Sequence, residues 1–194
     1  YGRDLDEGRD FADLIRAIND IPGDFLIRFM TSHPRDATEK LFRTMAECEK
    51  CAKHIHLPVQ SGSNRILKAM NRHYGREKYL EEVRTARELM PDIVLTTDII
   101  VGFPGETRSD FDETLSLVRA VGYDAMFTFI FSPREGTPAA KLPDPVSREE
   151  KQVWFDELVE LSNSISGEKH AAYAGKTLRV LVDGETGRDG YNPY

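Results

Sequence analysis

The chain has 194 residues, of which 40% are hydrophobic and 30% charged, and its net charge is −7. This length suggests one domain with part of a second, and the apolar content is enough for a sizeable core. No apolar run reaches membrane-spanning length and no signal peptide is visible, so we predict a cytoplasmic protein with no membrane partner. The acidic charge argues against this chain as the main surface that grips nucleic acid. It leaves RNA open as a substrate, because a basic module can lie outside the chain.

Apolar stripes and turn signals predict an alternation of helices and strands. In chain order the predicted elements are a helix at 10–19, a strand at 25–31, a helix starting at 36 or 38, a strand at 54–59, a short helix capped by Ser63, a helix at 76–90, a strand at 94–101, a helix at 109–121, a strand at 125–131, a long helix from 147 to about 174, and a last strand at 178–182. The first four strands recur at intervals of roughly 30 to 40 residues with helices between them, which is typical of parallel βα units. We therefore predict an α/β fold, a partial TIM-type (βα) barrel, with a flat doubly wound sheet as the alternative.

The most distinctive stretch is LTTDIIVGFPGE at 95–106. An apolar strand ends there in a tight turn, where Gly102 and Gly105 allow a sharp bend and Pro104 stiffens it. Thr107 and Asp110 then form the pattern of a helix N-cap pair. A strand, a tight turn and a helix start mark the place where α/β proteins bind ligands. A plain connector without a ligand is an equally open interpretation of this stretch alone.

Distinctive polar residues follow each of the four strands: Ser32-His33, Gln60-Ser61, the segment from Asp98 to Glu106, and Ser132 with Arg134. Because the carboxyl ends of parallel strands share one edge, we predict that these residues surround a single hollow. A buried carboxylate is costly without a partner, so Asp98, inside an apolar strand, is expected to face a polar pocket. The alternatives are that His33 is a turn residue, Gln60 caps a strand end and Arg134 is a solvated loop charge.

Two cysteines, Cys48 and Cys51, have the spacing C-x-x-C. One pair cannot complete a four-ligand zinc site, and we interpret both as incidental thiols. His54 and His56 follow closely but stand where a strand begins. There is no Ser-His-Asp arrangement with a nucleophile elbow, no Walker loop and no complete metal set. The residues by themselves predict only a ligand-binding βα-barrel fragment.

Four segments in this order resemble the radical S-adenosylmethionine methylthiotransferases: TSHP at 31–34, HLPVQSGSNRILKAMNR at 56–72, DIIVGFPGET at 98–107 and FIFSPREGTPAA at 129–140. The resemblance extends from about residue 10 to residue 182. TSHP and LPVQSG favour the branch that adds a methylthio group to isopentenyl-adenosine beside the tRNA anticodon. The alternatives are another tRNA adenosine, an aspartate of a ribosomal protein, or a non-enzymatic barrel that only binds.

The resemblance implies a domain plan for the intact protein. It comprises an N-terminal domain with an auxiliary iron–sulfur cluster, a radical domain with a C-x-x-x-C-x-x-C motif, and an RNA-gripping TRAM domain. Both cysteine sets are missing here, so we expect a core piece that is inactive alone and holds no metal. Its expected domains are the radical core at 1–174 and the start of a truncated TRAM domain, a β domain, at 175–194.

The resemblance also implies cofactors, partners and site residues. The cofactors of the intact protein would be S-adenosylmethionine and two 4Fe–4S clusters, and its partners a tRNA and a reducing electron donor. The cofactor would be split into methionine and a deoxyadenosyl radical that abstracts hydrogen from an adenine C–H, before sulfur from the auxiliary cluster is inserted. The expected cofactor-binding residues are Gln60, Ser61, Asp98, Gly102, Phe103, Pro104, Gly105, Glu106 and Ser132. Arg134 and His33 are expected to face the substrate, with Arg134 also within reach of the cofactor carboxylate, and no catalytic residue is expected in this chain.

Overall fold

The computed structural model describes residues 8–30 and 33–178, and the regular structure of these residues consists of six α-helices and three strands. In chain order they are α1 (Phe11–Asn19), α2 (Glu39–Glu47), β1 (His54–His56), α3 (Asn64–Ala69), α4 (Arg76–Leu89), β2 (Val94–Val101), α5 (Arg108–Val121), β3 (Ala125–Ile130) and α6 (Arg148–Ala171). Short 3₁₀ helices lie at Pro34–Asp36 and Pro138–Lys141. No helix in these two ranges is long and apolar enough to cross a membrane.

The three strands form one parallel sheet in the order β1-β2-β3. β2 is the central strand, and its residues 96–101 pair in register with β3. Each crossover between neighbouring strands contains helices, as parallel pairing requires. The predicted α/β class with parallel strands is therefore confirmed.

The strand predicted at 25–31 is not formed in the described residues. Ile27 makes only an isolated parallel bridge to Cys51, in which its N–H donates to the carbonyl of Lys50 (2.7 Å) and its carbonyl accepts from the N–H of Ala52 (3.0 Å). The apolar pattern did not predict a buried strand correctly, because the side chains of Leu26 and Met30 are 45% and 65% exposed.

The strand predicted at 54–59 is also shorter than expected and ends at His56. Pro58 has no N–H for the ladder, which resumes only at a bridge between Gln60 and Ile99. The last predicted strand at 178–182 lies outside the described residues except for Leu178, as does most of the expected TRAM segment.

The two faces of the sheet differ sharply. Alternate residues of β2, from Leu95 to Val101, are buried beneath the helices, and α6 packs on β2 and β3. Phe111 of α5 stacks on Trp154 of α6 with ring centroids 5.5 Å apart, which ties these helices together. Within the described ranges the opposite face is open, and Phe127 and Phe129 are about half exposed (53% and 52%). The core therefore lies on one side, and the other side carries the polar residues of β1 and β2.

The helix starts follow the local signals with one exception. Thr107 and Asp110 form the predicted reciprocal capping box of α5, and Thr38 caps α2. Ser63 stands at the start of α3 but does not cap it, because its hydroxyl donates to Asp110 Oδ1 at 2.8 Å. The side chain is thus used to join two βα units rather than to start a helix.

Candidate functional site

A cavity of about 540 Å³ opens at the carboxyl ends of β2 and β3. It is lined by Gln60, Asp98, Ile100, Phe129, Ile130, Phe131, Ser132, Arg134, Thr137 and Ala139. The parallel topology brings these residues together from three separate segments of the chain. Four of the predicted site residues, Gln60, Asp98, Ser132 and Arg134, share this cavity.

Gln60 is held in a strained conformation at the cavity wall. Its backbone pairs with β2 through two hydrogen bonds, from its N–H to the carbonyl of Asp98 and from the N–H of Ile100 to its carbonyl, both 2.9 Å. Its φ of 73° lies in the left-handed region, where a residue with a Cβ costs of order 1 kcal/mol or more. The side-chain amide is hydrogen-bonded to none of the described residues. A strained residue with a free amide at a cavity is typical of a binding group rather than a strand cap.

Asp98 projects from the open face of β2. Its Oδ1 lies 3.3 Å from Nε2 of His56, and its side chain is 28% exposed. Within the described ranges no other side chain contacts this carboxylate closely enough for a hydrogen bond. The expectation that Asp98 faces a polar pocket agrees with its position, since the carboxylate has a polar partner on one side and the cavity on the other.

Ser132 and Arg134 lie in the loop after β3. The carbonyl of Arg134 accepts hydrogen bonds from the N–H of Thr137 (3.2 Å) and from its hydroxyl (2.7 Å), so the loop folds back on itself. The Arg134 guanidinium and the Ser132 hydroxyl make no hydrogen bond to the described residues. A free guanidinium at a cavity suits a carboxylate or a phosphate.

The turn at 102–106 supports the cavity wall but does not line it, which differs from the expectation for Gly102, Phe103, Pro104, Gly105 and Glu106. The Glu106 carboxylate is 1% exposed and accepts from the N–H groups of Gly102 and Phe103, so it points into its own turn. Burial raises the pKa of Glu106 to about 7. The Phe103 ring packs edge-on against Phe131, a residue of the cavity wall, with centroids 5.2 Å apart. The turn therefore contributes to the cavity wall indirectly, by packing against Phe131.

Gly102 is required in this turn for two reasons. Its φ is +73°, and a Cβ would lie 2.5 Å from Cδ of Lys151. The stem of the buried Lys151 side chain lies against Gly102 and its amine pairs with Asp144, so the start of α6 packs on the GFPGE turn. Close backbone approach is used here for a side chain of the protein itself rather than for a ligand.

Ser61 and His33 lie outside the cavity. Ser61 is fully buried, and its hydroxyl accepts from the N–H of Ser63 at 3.2 Å and lies 3.4 Å from Thr114 Oγ1. His33 packs edge-on against Tyr74, and its Nδ1 accepts from the N–H of Arg35 at 3.2 Å. Burial lowers the pKa of His33. The polar position after a strand thus places a residue near the rim, but tertiary contacts decide which way its side chain points.

Cys48 and Cys51 do not fit the ligand set of an iron–sulfur cluster. Both are free, and both are buried in the hydrophobic core at 1% and 2% exposure. Cluster ligands are thiolates, whereas burial raises the pKa of Cys51 and favours its neutral thiol. Among the residues that the structure describes, no group of three His, Cys, Asp or Glu side chains is placed to hold a metal ion.

The sequence interpretation missed residues of the cavity wall, among them Ile100, Phe129, Thr137 and Ala139, and it missed His56 beside the cavity. For Ile100 the signal was the strand alternation, which puts it on the same face as Asp98. His56 was given no role in the site, although its spacing from His54 places both residues on one face of β1.

The chain matches the model of the Radical SAM superfamily over residues 2–118. It is 53% identical over 189 residues to the tRNA-2-methylthio-N(6)-dimethylallyladenosine synthase of Clostridium botulinum (strain Hall), which covers 97% of this chain and 42% of that protein. The synthase of the same name from Alkaliphilus oremlandii is 51% identical, with coverage of 97% and 40%. The chain thus spans less than half the length of these curated relatives.

A solved structure shows the same fold. Coproporphyrinogen III oxidase from Escherichia coli, a radical SAM enzyme, superposes with a TM-score of 0.58 over 69% of this chain and 31% of its own, at 20% identity. At that identity the likeness concerns the fold alone. The family model matches more than half of the chain and this fold agrees with it, so the chain belongs to the Radical SAM superfamily.

Proposed function

We propose that this chain is the radical core of a tRNA methylthiotransferase that adds a methylthio group to isopentenyl-adenosine beside the anticodon. The observation that carries the proposal is the identity of 53% over 97% of the chain to a protein named as a tRNA-2-methylthio-N(6)-dimethylallyladenosine synthase. The tRNA substrate, the reducing electron donor, the cytoplasmic location and the activity of the whole protein all belong to this proposal. The closure of the sheet into a part-barrel and the start of a TRAM domain at 175–194 also belong to this proposal.

The cavity at the ends of β2 and β3 is the proposed cofactor site. Its volume of about 540 Å³ is in the range of small-molecule pockets. Ile100 and Phe129 offer an apolar wall for an adenine ring, Asp98 and Gln60 offer hydrogen-bond partners for ribose hydroxyls, and Arg134 offers a cation for a carboxylate. These groups suit S-adenosylmethionine, which combines an aromatic base, a diol and an amino acid. Ser132 adds a hydroxyl at the same edge.

S-adenosylmethionine, when bound, supplies the radical chemistry, and the protein supplies binding, orientation and exclusion of water. In this chain the strained Gln60 and the carboxylate of Asp98 would fix the ribose, and the exposed ring of Phe129 would shield the base. The turn at 102–106 would keep Phe131 in place through Phe103. The two expected 4Fe–4S clusters would need ligands from other parts of the intact protein, because Cys48 and Cys51 are buried in the core of the described residues.

The part of the proposal that concerns tRNA binding is argued from charge. The chain is acidic, with a net charge of −7, so its own surface is a poor general grip for RNA. Arg134, with its free guanidinium at the cavity, is placed to contact either the cofactor carboxylate or one phosphate of the target nucleotide. The main grip on tRNA would then belong to another domain.

Restoring the complete gene to a bacterial strain that lacks this modification tests the function. We expect the tRNA nucleosides, analysed by mass spectrometry, to contain 2-methylthio-isopentenyl-adenosine. An Asp98→Ala variant should lose most of it, whereas Asp112→Ala, an exposed change on α5, should not. Unmodified isopentenyl-adenosine together with a methylthiolated ribosomal protein would instead place the protein in the aspartate branch.

A further inference from the structure

An imidazole buried beside the cavity has no place in the function proposed so far. His56 of β1 pairs in register with Thr96 of β2, and the residue is 5% exposed. Its Nε2 lies 3.3 Å from Asp98 Oδ1, and its Nδ1 lies 2.9 Å from Thr96 Oγ1. The ring of Phe127 packs edge-on against it at 5.9 Å. The imidazole is therefore held by contacts to two polar partners and one ring, yet it does not line the cavity.

The contacts assign the tautomer of the neutral ring. An ionised carboxylate only accepts hydrogen bonds, so the nitrogen facing Asp98, Nε2, carries the proton. Nδ1 then accepts from the hydroxyl of Thr96. That hydroxyl in turn lies 3.5 Å from Nε2 of His54, which can donate to it. The Nε2–H of His56 thus points towards Asp98, whereas the contact of His54 is to Thr96.

This arrangement leaves one oxygen of Asp98 for a ligand. Oδ1 is committed to His56, whereas Oδ2 has no hydrogen-bond partner among the described residues. Asp98 itself lines the cavity. A carboxylate that is free to rotate about its terminal bond would offer either oxygen, and ordering it would cost binding free energy.

We propose that His56 is a positioning residue of the site, which holds the carboxylate of Asp98 through Nε2 so that Oδ2 meets a hydroxyl of the cofactor ribose. This inference rests on the proposed function, because it takes the cavity as the cofactor site. His56 itself touches neither cofactor nor substrate. Its effect is transmitted by Asp98 alone.

The chain offers matched variants for a test. The side-chain amide of glutamine can place an N–H near the position of imidazole Nε2, whereas the shorter asparagine reaches only the position of Nδ1. His56→Gln therefore restores the donor, and His56→Asn and His56→Leu remove it. His54→Leu is the control, since His54 is on the same strand and face but its contact is to Thr96 and not to Asp98.

The affinity for S-adenosylmethionine, measured by calorimetry on the anaerobically reconstituted protein from the complete gene, is the first readout. We expect His56→Leu and His56→Asn to weaken binding about fivefold to tenfold, and Asp98→Ala by about tenfold or more. His56→Gln and His54→Leu should stay close to the wild type. The double variant His56→Leu, Asp98→Ala should bind no worse than Asp98→Ala, because the two residues act in series. The inference would be overturned if the loss of affinity in the double variant equalled the product of the losses in the two single variants.

The imidazole nitrogen NMR signals of this chain provide a readout that does not depend on the cofactor. We expect His56 in the tautomer with the proton on Nε2, and a changed Nε2–H signal in Asp98→Ala. A proton on Nδ1 in the neutral ring overturns the inference whatever the function. If Asp98→Ala weakens cofactor binding and His56→Leu does not, the inference fails while the proposed site stands. If Asp98→Ala has no effect, the proposed site fails and the inference with it.

Discussion

Replacement of Gly62 by alanine is expected to lower the free energy of unfolding by about 3 kcal/mol. A Cβ at this position would lie 2.5 Å from the Cα of Thr114 and 2.6 Å from the carbonyl oxygen of Glu113. Both atoms belong to the backbone of α5, which cannot turn aside as a side chain can. The N–H of Gly62 also donates to Thr114 Oγ1 at 2.9 Å, so a shift that relieved the clash would break this bond.

The same clash is expected to disturb the candidate site, because Gly62 lies close to Gln60 in the turn that follows β1. Guanidinium denaturation followed by circular dichroism measures the effect. Gly167→Ala is the matched control, since Gly167 lies within α6 with nothing within 4 Å of a Cβ. It should be neutral or stabilise the chain by up to about 1 kcal/mol. A Gly62→Ala variant as stable as the wild type would show that the turn after β1 and helix α5 do not approach as closely as the structure has them.

Asp110→Asn is expected to cost about 3 kcal/mol at neutral pH. The Asp110 carboxylate, 7% exposed, accepts hydrogen bonds from Ser63 Oγ (2.8 Å), from Arg65 Nε (3.1 Å), and from the N–H of Thr107 (2.9 Å). It therefore joins the turn after β1, helix α3 and the start of α5. An amide cannot accept all of these bonds, and its NH₂ group would face donors.

The pH dependence of this effect has a defined sign. Burial alone would raise the pKa of Asp110, but the hydrogen bonds from Arg65, Thr107 and Ser63 outweigh it and hold the pKa well below its usual range. A carboxyl with a lowered pKa in the folded state contributes its stability above the unfolded value near 3.8 and loses it as the pH falls further. The difference in the free energy of unfolding between wild type and Asp110→Asn should thus be largest at pH values above about 5 and should decrease below about 3.8.

Denaturation of both proteins at several pH values tests this expectation. Asp112→Asn, two residues further along α5, is the control, because Asp112 is exposed and pairs with Arg108 on the surface. It should change stability little at any pH. The role given to Asp110 would be contradicted if Asp110→Asn and Asp112→Asn lost the same free energy of unfolding. It would also be contradicted if the difference between wild type and Asp110→Asn stayed constant as the pH fell below about 3.8.

The features that sequence reasoning predicted well are governed by local chemistry. The capping box of Thr107 and Asp110, the turns at Gly102 and Gly105 and the apolar pattern of β2 each depend on neighbouring residues, and the structure has all three. The cavity followed from topology, since parallel strands bring Gln60, Asp98 and Arg134 to one edge. These inferences needed only chain order and strand direction.

The features that it missed depend on long-range packing. Whether Ser61 points to the cavity or to α5 is decided by Thr114, far away in sequence. Glu106 is an exception, because it turns inward to accept hydrogen bonds from the N–H groups of its own turn. Among the residues that the structure describes, the strand predicted near Phe25 has no neighbour beyond the single bridge at Ile27. The contact between His56 and Asp98 required the register of β1 against β2, which the family resemblance did not contain.

The position of the adenosyl group in a crystal structure of the reconstituted protein with S-adenosylmethionine tests the central claim most directly. We expect the ribose hydroxyls within hydrogen-bond distance of Asp98 and Gln60, with the adenine ring against Ile100 and Phe129. An adenosyl group bound at another face, with the cavity at the carboxyl ends of β2 and β3 filled only by solvent, would contradict the account.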